Sequence, residues 1–193
     1  MHFASFRDWI KVCSLSNMTF DNYKISLLEA NDGSAFFKLI DSNRQRLEDF
    51  FAGTVSKTLT LQDTLNYCEK IQLRIKDLSY LPYMITDMHT NAFVGLVDVK
   101  NIDLNVPKAE LGSFIDHQYE GNGIVSKATS LVIDHIVQEY KFIKLLCRAS
   151  IRNKGSIAVI LKNGFELEGT IRKDYRTTKG EIVDLNYYGR VFT

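Results

Sequence analysis

The chain has 193 residues, 45% of them hydrophobic and 24% charged, and its 24 Lys and Arg nearly balance its 23 Asp and Glu. At that size one domain can bury its own core without disulfide or metal staples. A net charge of +1 excludes a protein that holds nucleic acid by bulk positive charge, which needs a strongly basic face, and leaves room for a local anion site.

Residues 1–18 stand apart as an N-terminal extension (a short helix, an upstream segment or a dimer contact), and one domain is expected from 19 to 193. A strand is expected over Tyr23–Leu28. Residues 31–51 read as helix, with Asn31-Asp32 as cap and Phe36, Phe37, Leu39 and Ile40 as apolar contacts. A second short helix is expected through Arg46–Phe51. Leu61, Leu65, Cys68, Ile71, Ile75 and Leu78 recur at intervals of three and four, one apolar stripe on a helix. Thr60 and Asp63 at its start have the spacing of a capping box, with Asp in place of Glu.

The period then changes. Tyr83–Thr86 and Ala92–Val99 read as strands joined by a turn over Asp87–Asn91. Lys108–Asp116 is a third strand. On simple alternation Glu110, Gly112 and Phe114 share one face and Leu111, Ser113 and Ile115 the other, unless a bulge intervenes. Gly123–Tyr140 is the strongest helix, with Val125, Ala128, Val132, Ile136 and Tyr140 along one side. A short strand over Lys144–Ala149 follows, then a helix over Asn153–Lys162 stopped by Asn163-Gly164. Phe165–Tyr175 and Ile182–Phe192 read as a closing pair of strands, with Lys179-Gly180 in the turn. This order implies an α/β (α+β) fold with one mixed sheet.

The remaining chemistry narrows quickly. Cys13, Cys68 and Cys147 are far apart and odd in number, the usage of reduced thiols in a cytoplasmic protein. The four histidines, His2, His89, His117 and His135, show no zinc-binding spacing, so no metal is expected. No apolar run is long enough for a bilayer, and the first residues lack the pattern of a signal peptide; neither a membrane nor nucleic acid is an expected partner.

One segment carries more. In Phe114-Ile115-Asp116-His117-Gln118-Tyr119-Glu120-Gly121-Asn122-Gly123-Ile124-Val125-Ser126 a strand ends, a loop with two glycines follows, and an amphipathic helix begins. Free backbone N–H groups and the positive end of the helix dipole then meet at one place. Glycine lets a ligand approach the backbone closely. A pyrophosphate is the natural guest; a purely structural turn is the other reading. The segment has neither the G-K-[ST] of a Walker A loop nor the third glycine of a Rossmann fingerprint.

Gln118-x-x-Gly121-x-Gly123 does resemble the Q/R-x-x-G-x-G/A motif of the GNAT acetyltransferase superfamily. Asn153-Lys154-Gly155-Ser156 and Asn163-Gly164-Phe165-Glu166-Leu167-Glu168-Gly169 are similar to the N-x-x-S and G-F-x-x-E-G features of its RimJ/RimL-type branch. Glu110–Asp116 is similar to that branch's E-[I/L]-G-x-x-[I/L]-D strand, and Val183–Tyr188 to its closing strand. The similarity is close over residues 83–193 and loose over 19–82.

The resemblance implies a strongly twisted mixed sheet, its central strands splayed around acetyl-CoA and flanked by helices. It implies that Phe114 and Ile115 face the pantetheine arm. The backbone from Gln118 through Tyr119, Glu120, Gly121, Asn122, Gly123 and Ile124 to Val125 would hold the pyrophosphate. Asn153 would lie near the pantetheine and Ser156 near the sulfur. Transfer to an amine requires a neutral nucleophile. An α-amine, with a pKa of about 7.7–8.0 against about 10.4 for lysine, needs only mild help. Ser156 is the expected proton donor to the departing thiolate, or else a hydroxyl bonded to nearby backbone. Glu110 is the expected base or orienter of a water, or else a buried acid paired with a basic residue. Asp174 and Tyr175 lie near a further acidic position of the branch, shifted by one. Tyr119 suits loop packing better than chemistry. The implied activity is acetyl transfer to a primary amine, first of all a protein N-terminus of the ribosomal type. A small-molecule amine acetyltransferase, a silent acyl-CoA-binding module and a homodimer remain as alternatives or additions.

Overall fold

Period-2 strands and helices with one apolar stripe assemble a single eight-stranded sheet in the computed structural model, which describes residues 18–193. Its strands are β1 Met18–Phe20, β2 Tyr23–Leu27, β3 Leu81–Asp87, β4 Ala92–Asp103, β5 Lys108–Ile115, β6 Lys144–Ala149, β7 Glu166–Arg176 and β8 Ile182–Val191. They lie side by side in the order β1-β2-β3-β4-β5-β6-β8-β7. Only β5 and β6 pair in parallel. The helices are α1 Gly33–Leu47, α2 Ala52–Val55, α3 Leu61–Lys76, α4 Ile124–Tyr140 and α5 Lys154–Lys162. The expected extension over residues 1–18 lies outside the described residues except for Met18, which already belongs to β1.

Alternation along the strands sends residues to two cores. Ile85, Val97, Val99, Leu111 and Ile115 pack with Ala128, Val132, Ile133 and Ile136 of α4. Met84, Leu96 and Phe114 face the other way, against Phe36, Leu39 and Ile40 of α1 and Cys68 and Ile71 of α3. Each fully buried aliphatic side chain contributes about 1.5–3 kcal/mol, so these two faces fix which way every residue of β5 points. The capping box at Thr60 forms as its spacing implies: Thr60 Oγ1 accepts from Asp63 N–H at 3.1 Å, and the Asp63 carboxylate accepts from Thr60 N–H.

The departures from the sequence reading have local causes. Asp32 is the N-cap of α1, but its carboxylate makes no bond to that helix; it accepts from Glu29 N–H at 2.8 Å and closes a 3-10 turn over Ala30–Asp32 just before α1. The first helix stops at Leu47, and no second helix forms at 46–51. Instead Leu47 C=O accepts from both Phe50 and Phe51 N–H, and the chain turns so that the Phe51 ring meets Phe114 edge-on at 5.2 Å. That tertiary contact overrides helix propensity. β4 runs four residues past Val99, and its register against β5 breaks between Lys100 and Asp103. Asn101 sits there with φ of 50°, so the bulge lies in β4, and β5 keeps regular alternation.

The decisive feature for function is between β5 and β6. Their pairing covers only Lys108–Leu111 against Lys144–Cys147. From Gly112 to Ile115, β5 pairs with β4 alone, and the two central strands separate around a cleft.

Gly112 has a second constraint. A Cβ there would run into the Asp98 carboxylate and stand 2.9 Å from Lys100 Nζ, and Asp98 is buried. Gly112→Ala is expected to cost about 1–3 kcal/mol in urea denaturation. Gly53→Ala, where a Cβ meets nothing within 4 Å, should be neutral or stabilising by about 0.5–1 kcal/mol.

Candidate active site

The cleft has two connected parts. The outer part, about 580 Å³, lies between the end of β5, the loop that follows it and the start of α5. Phe114, Ile115, Glu120, Gly121, Val125, Asn153 and Ser156 line it. The inner part, about 120 Å³, reaches Glu110, Lys100, Arg148 and Tyr175 and shares Asn153 and Ser156 with the outer one. Of the residues expected at the site, Gln118, Tyr119, Asn122, Gly123 and Ile124 line neither part.

That backbone is unusual in what it leaves open. Gly121 and Gly123 both take positive φ, 78° and 72°, a conformation that costs an L side chain energy. Gly123 is the N-cap of α4. The N–H groups of Gln118, Tyr119 and Glu120 donate within the loop, to the Asp116 carboxylate, Asp116 C=O and His117 C=O. From Gly121 to Ser126 no backbone N–H donates to an acceptor among the described residues, and the next, Lys127, closes the first turn of α4 onto Gly123 C=O. Six successive open donors at the N-terminus of a 17-residue helix form an anion cradle. A Cβ on Gly123 would lie 3.9 Å from Lys162 Nζ, so an ammonium adds to the positive field.

The loop is set in place from two sides. Asn43 on α1 is buried, and its Nδ2 donates to the Asp116 carboxylate at 2.9 Å while its Oδ1 accepts from His117 N–H at 3.2 Å. On the other side Tyr119 donates its hydroxyl to Asp87 at 3.3 Å, which is the packing role its sequence position suggested.

Across the cleft, Asn153 is the N-cap of α5, its Oδ1 accepting from Ser156 N–H at 3.1 Å. This places Ser156 in the first helical turn. The Ser156 hydroxyl makes no hydrogen bond within the described protein, so the alternative of a hydroxyl bonded to nearby backbone is not what the geometry displays.

In the inner part Glu110 is buried and both its oxygens are engaged. Oε1 accepts from Arg148 Nε at 3.0 Å and Oε2 from Asn101 Nδ2 at 2.8 Å; Lys100 Nζ stands 3.9 Å away. Glu110 pairs in register with Leu146, so Arg148, two residues on, lies on the same face. Arg148 continues to the Tyr187 hydroxyl at 3.4 Å, and Tyr187 donates to Asp174 at 2.8 Å. Burial disfavours the Arg148 charge, but Tyr187 and Glu110 outweigh it and hold the guanidinium above its ordinary pKa. Burial raises Tyr175, with Asp49 adding to it, and burial and the Asp174 bond raise Tyr187. At neutral pH both phenols are therefore proton donors, not bases.

The sequence reading missed Asn43, Asn101 and Arg148. A polar residue at a helical core position was a signal for Asn43, and Asn at a strand end a weak one for the bulge. Nothing short of the β5–β6 register could have brought Arg148 to Glu110.

Among the described residues no group of three or more His, Cys, Asp or Glu gathers as a metal site, and no helix is long and apolar enough to cross a membrane. Cys147 borders the inner part, but burial raises its pKa strongly, with Glu110 adding to it. Burial pushes Cys68 up to about 12, with Asp32 adding to it. A raised pKa keeps a thiol protonated and unreactive below it. In the native protein at pH 8, both should resist alkylation by iodoacetamide and label fully in denaturant, as read by peptide mass mapping. Rapid native labelling of Cys147 would reopen it as a nucleophile.

Residues 24–166 match the family model described as an acetyltransferase (GNAT) domain. Over 170 residues the chain is 29% identical to a Bacillus subtilis protein, YdaF, named provisionally as a ribosomal N-acetyltransferase; the match covers 87% of this chain and 90% of that one. Over 98 residues it is 30% identical to the ribosomal-protein-serine acetyltransferase of Escherichia coli, covering 51% of this chain and 54% of the relative. Among solved structures, the ribosomal L7/L12 α-N-protein acetyltransferase RimL in complex with coenzyme A superposes with a TM-score of 0.84 at 19% identity, covering 91% of this chain and 97% of that one. At that identity the superposition shows a shared fold.

Proposed function

The chain belongs to the GNAT acetyltransferase family, and we propose that it moves the acetyl group of acetyl-CoA to the α-amine of a protein N-terminus, within the one domain expected over residues 19–193, whose sheet begins one residue earlier at Met18. The observation that carries this reading is the run of open amides from Gly121 to Ser126 beside the separated strands β5 and β6, faced across the cleft by the free hydroxyl of Ser156. A pyrophosphate fits the first feature and a thioester sulfur the second.

Acetyl-CoA, when bound, supplies an activated acetyl group. The chain's own residues do the rest. The amides of Gly121–Ser126 bind the pyrophosphate with fixed dipoles. Phe114 and Ile115 offer an unpaired strand edge to the pantetheine amides. Asn153 has one side-chain atom committed to its cap, and its Nδ2 is free to donate into the cleft. Ser156 protonates the departing thiolate. Open N–H groups along the β5 edge stabilise charge developing on the carbonyl oxygen.

For the nucleophile, the ion-paired state of Glu110 supports the orienting role over direct proton abstraction. With both oxygens already engaged, by Arg148 and Asn101, the carboxylate is placed to fix a water that accepts the amine proton. An α-amine, already partly neutral near pH 8, suits such a site better than a lysine amine near 10.4. The relatives named for ribosomal-protein substrates support the same acceptor class.

Acetyl-CoA binding by calorimetry should be readily measured, and absence of binding at tens of micromolar would sink the reading. Ser156→Ala should lower kcat by about 10²-fold while acetyl-CoA affinity changes little. An unchanged kcat would remove Ser156 as donor. In a panel of N-terminal peptides, N-acetylated lysine peptides, polyamines and aminoglycosides, turnover should favour free N-termini.

A further inference from the structure

Arg46, on the last turn of α1, faces the same outer cleft as the open amides, and among the residues lining that cleft it is the one cation. Its guanidinium is held from below. Nη1 donates to Asn43 Oδ1 at 2.9 Å and approaches Ile115 C=O at 3.5 Å. Asn43 is itself buried and locked to Asp116 at the base of the loop. Nη2 pairs with the Glu120 carboxylate, while Nε makes no bond within the described protein. Glu120 immediately precedes the six open amides. The guanidinium therefore stands over the start of the anion cradle, braced on one side and occupied on the other by a carboxylate that is half exposed.

We propose that Arg46 is a further ligand of the cofactor's phosphates, masked in the free protein by Glu120. This rests on the reading that the cleft takes acetyl-CoA. A carboxylate and a phosphate present the same geometry to an arginine fork. The bound cofactor takes over Nη2 and Nε, and Glu120 swings out to solvent without breaking any other side-chain bond given to it. The exchange explains why an acidic residue tolerates a place in a pyrophosphate loop: it neutralises Arg46 until the ligand arrives. It also gives α1, which carries no part of the recognised motifs, a direct role in cofactor binding.

The test uses the full chain and reads Kd for CoA by calorimetry and for pantetheine, which lacks the phosphates, by competition. Arg46→Ala should weaken CoA by about 10-fold or more, with a shallower salt dependence, and leave pantetheine unchanged. Arg46→Lys should recover only part of the loss. Glu120→Gln, which frees the guanidinium without touching its brace, should tighten CoA. Lys70→Ala, which removes one positive charge from the exposed face of α3, should leave both Kd values unchanged. Equal CoA affinity in wild type and Arg46→Ala, equal losses for CoA and pantetheine, or weakened CoA binding in Glu120→Gln would each overturn the assignment. A wild-type chain that fails to bind CoA would instead overturn the reading beneath it.

Discussion

A backbone N–H or C=O removed from water must find a partner, and the whole architecture follows from where that rule is met and where it is left open. The sheet meets it along seven strand pairings and gives up one of them halfway. After Leu111 and Cys147 the parallel strands part, and one edge of β5 is free to pair with a ligand. At the neighbouring helix start, two glycines with positive φ turn the chain and leave six successive N–H groups without a partner in the described protein, beside the same opening. The cleft is thus defined by unmet hydrogen bonds, and a molecule that carries amides along its length and a pyrophosphate at one end is the complement to that pattern.

The same rule explains why so little net charge is needed. An anion held by helix and loop amides is stabilised by dipoles fixed in place before it arrives, at little cost in reorganisation. Arg46, Lys100, Glu110, Glu120 and Arg148 in the cleft lining are paired, and the Glu110–Arg148 pair ties β5 to β6 where their backbones let go. Asn101, Glu110, Arg148, Tyr187 and Asp174 form one chain of contacts across β4, β5, β6, β8 and β7. Removing Arg148 would leave the buried Glu110 carboxylate without its nearest charged partner, which costs more than the pair itself contributes. The network is therefore better suited to hold geometry than to exchange protons.

Much of this was legible in the residues. The helix expected from the stripe Leu61 to Leu78, the alternation of β5 and the glycine pair at Gly121 and Gly123 each formed, although Leu61 stays exposed and Leu78 falls past the helix end. The motif around Asn153 and Ser156 was readable only through its resemblance to the N-x-x-S of the RimJ/RimL-type branch, and the structure makes Asn153 the N-cap of that helix. What escaped was set by distance in the chain. Phe51 leaves the helix for a ring more than sixty residues away, Asn43 binds a carboxylate at Asp116, and Arg148 reaches Glu110 only through a parallel register that no turn specifies. The β4 bulge at Asn101 lay hidden because one residue in the left-handed region leaves almost no trace in a hydrophobic pattern.

The central claim is that the open backbone amides form the primary grip on the cofactor's pyrophosphate, to which Arg46 adds. It is tested most directly by following backbone ¹H–¹⁵N resonances during titration with coenzyme A. The expected result is saturable shifts concentrated at Gly121–Ser126, displaced downfield as hydrogen bonds form, with smaller changes along Gly112–Ile115. Saturable binding with the resonances of Gly121–Ser126 unmoved would contradict it.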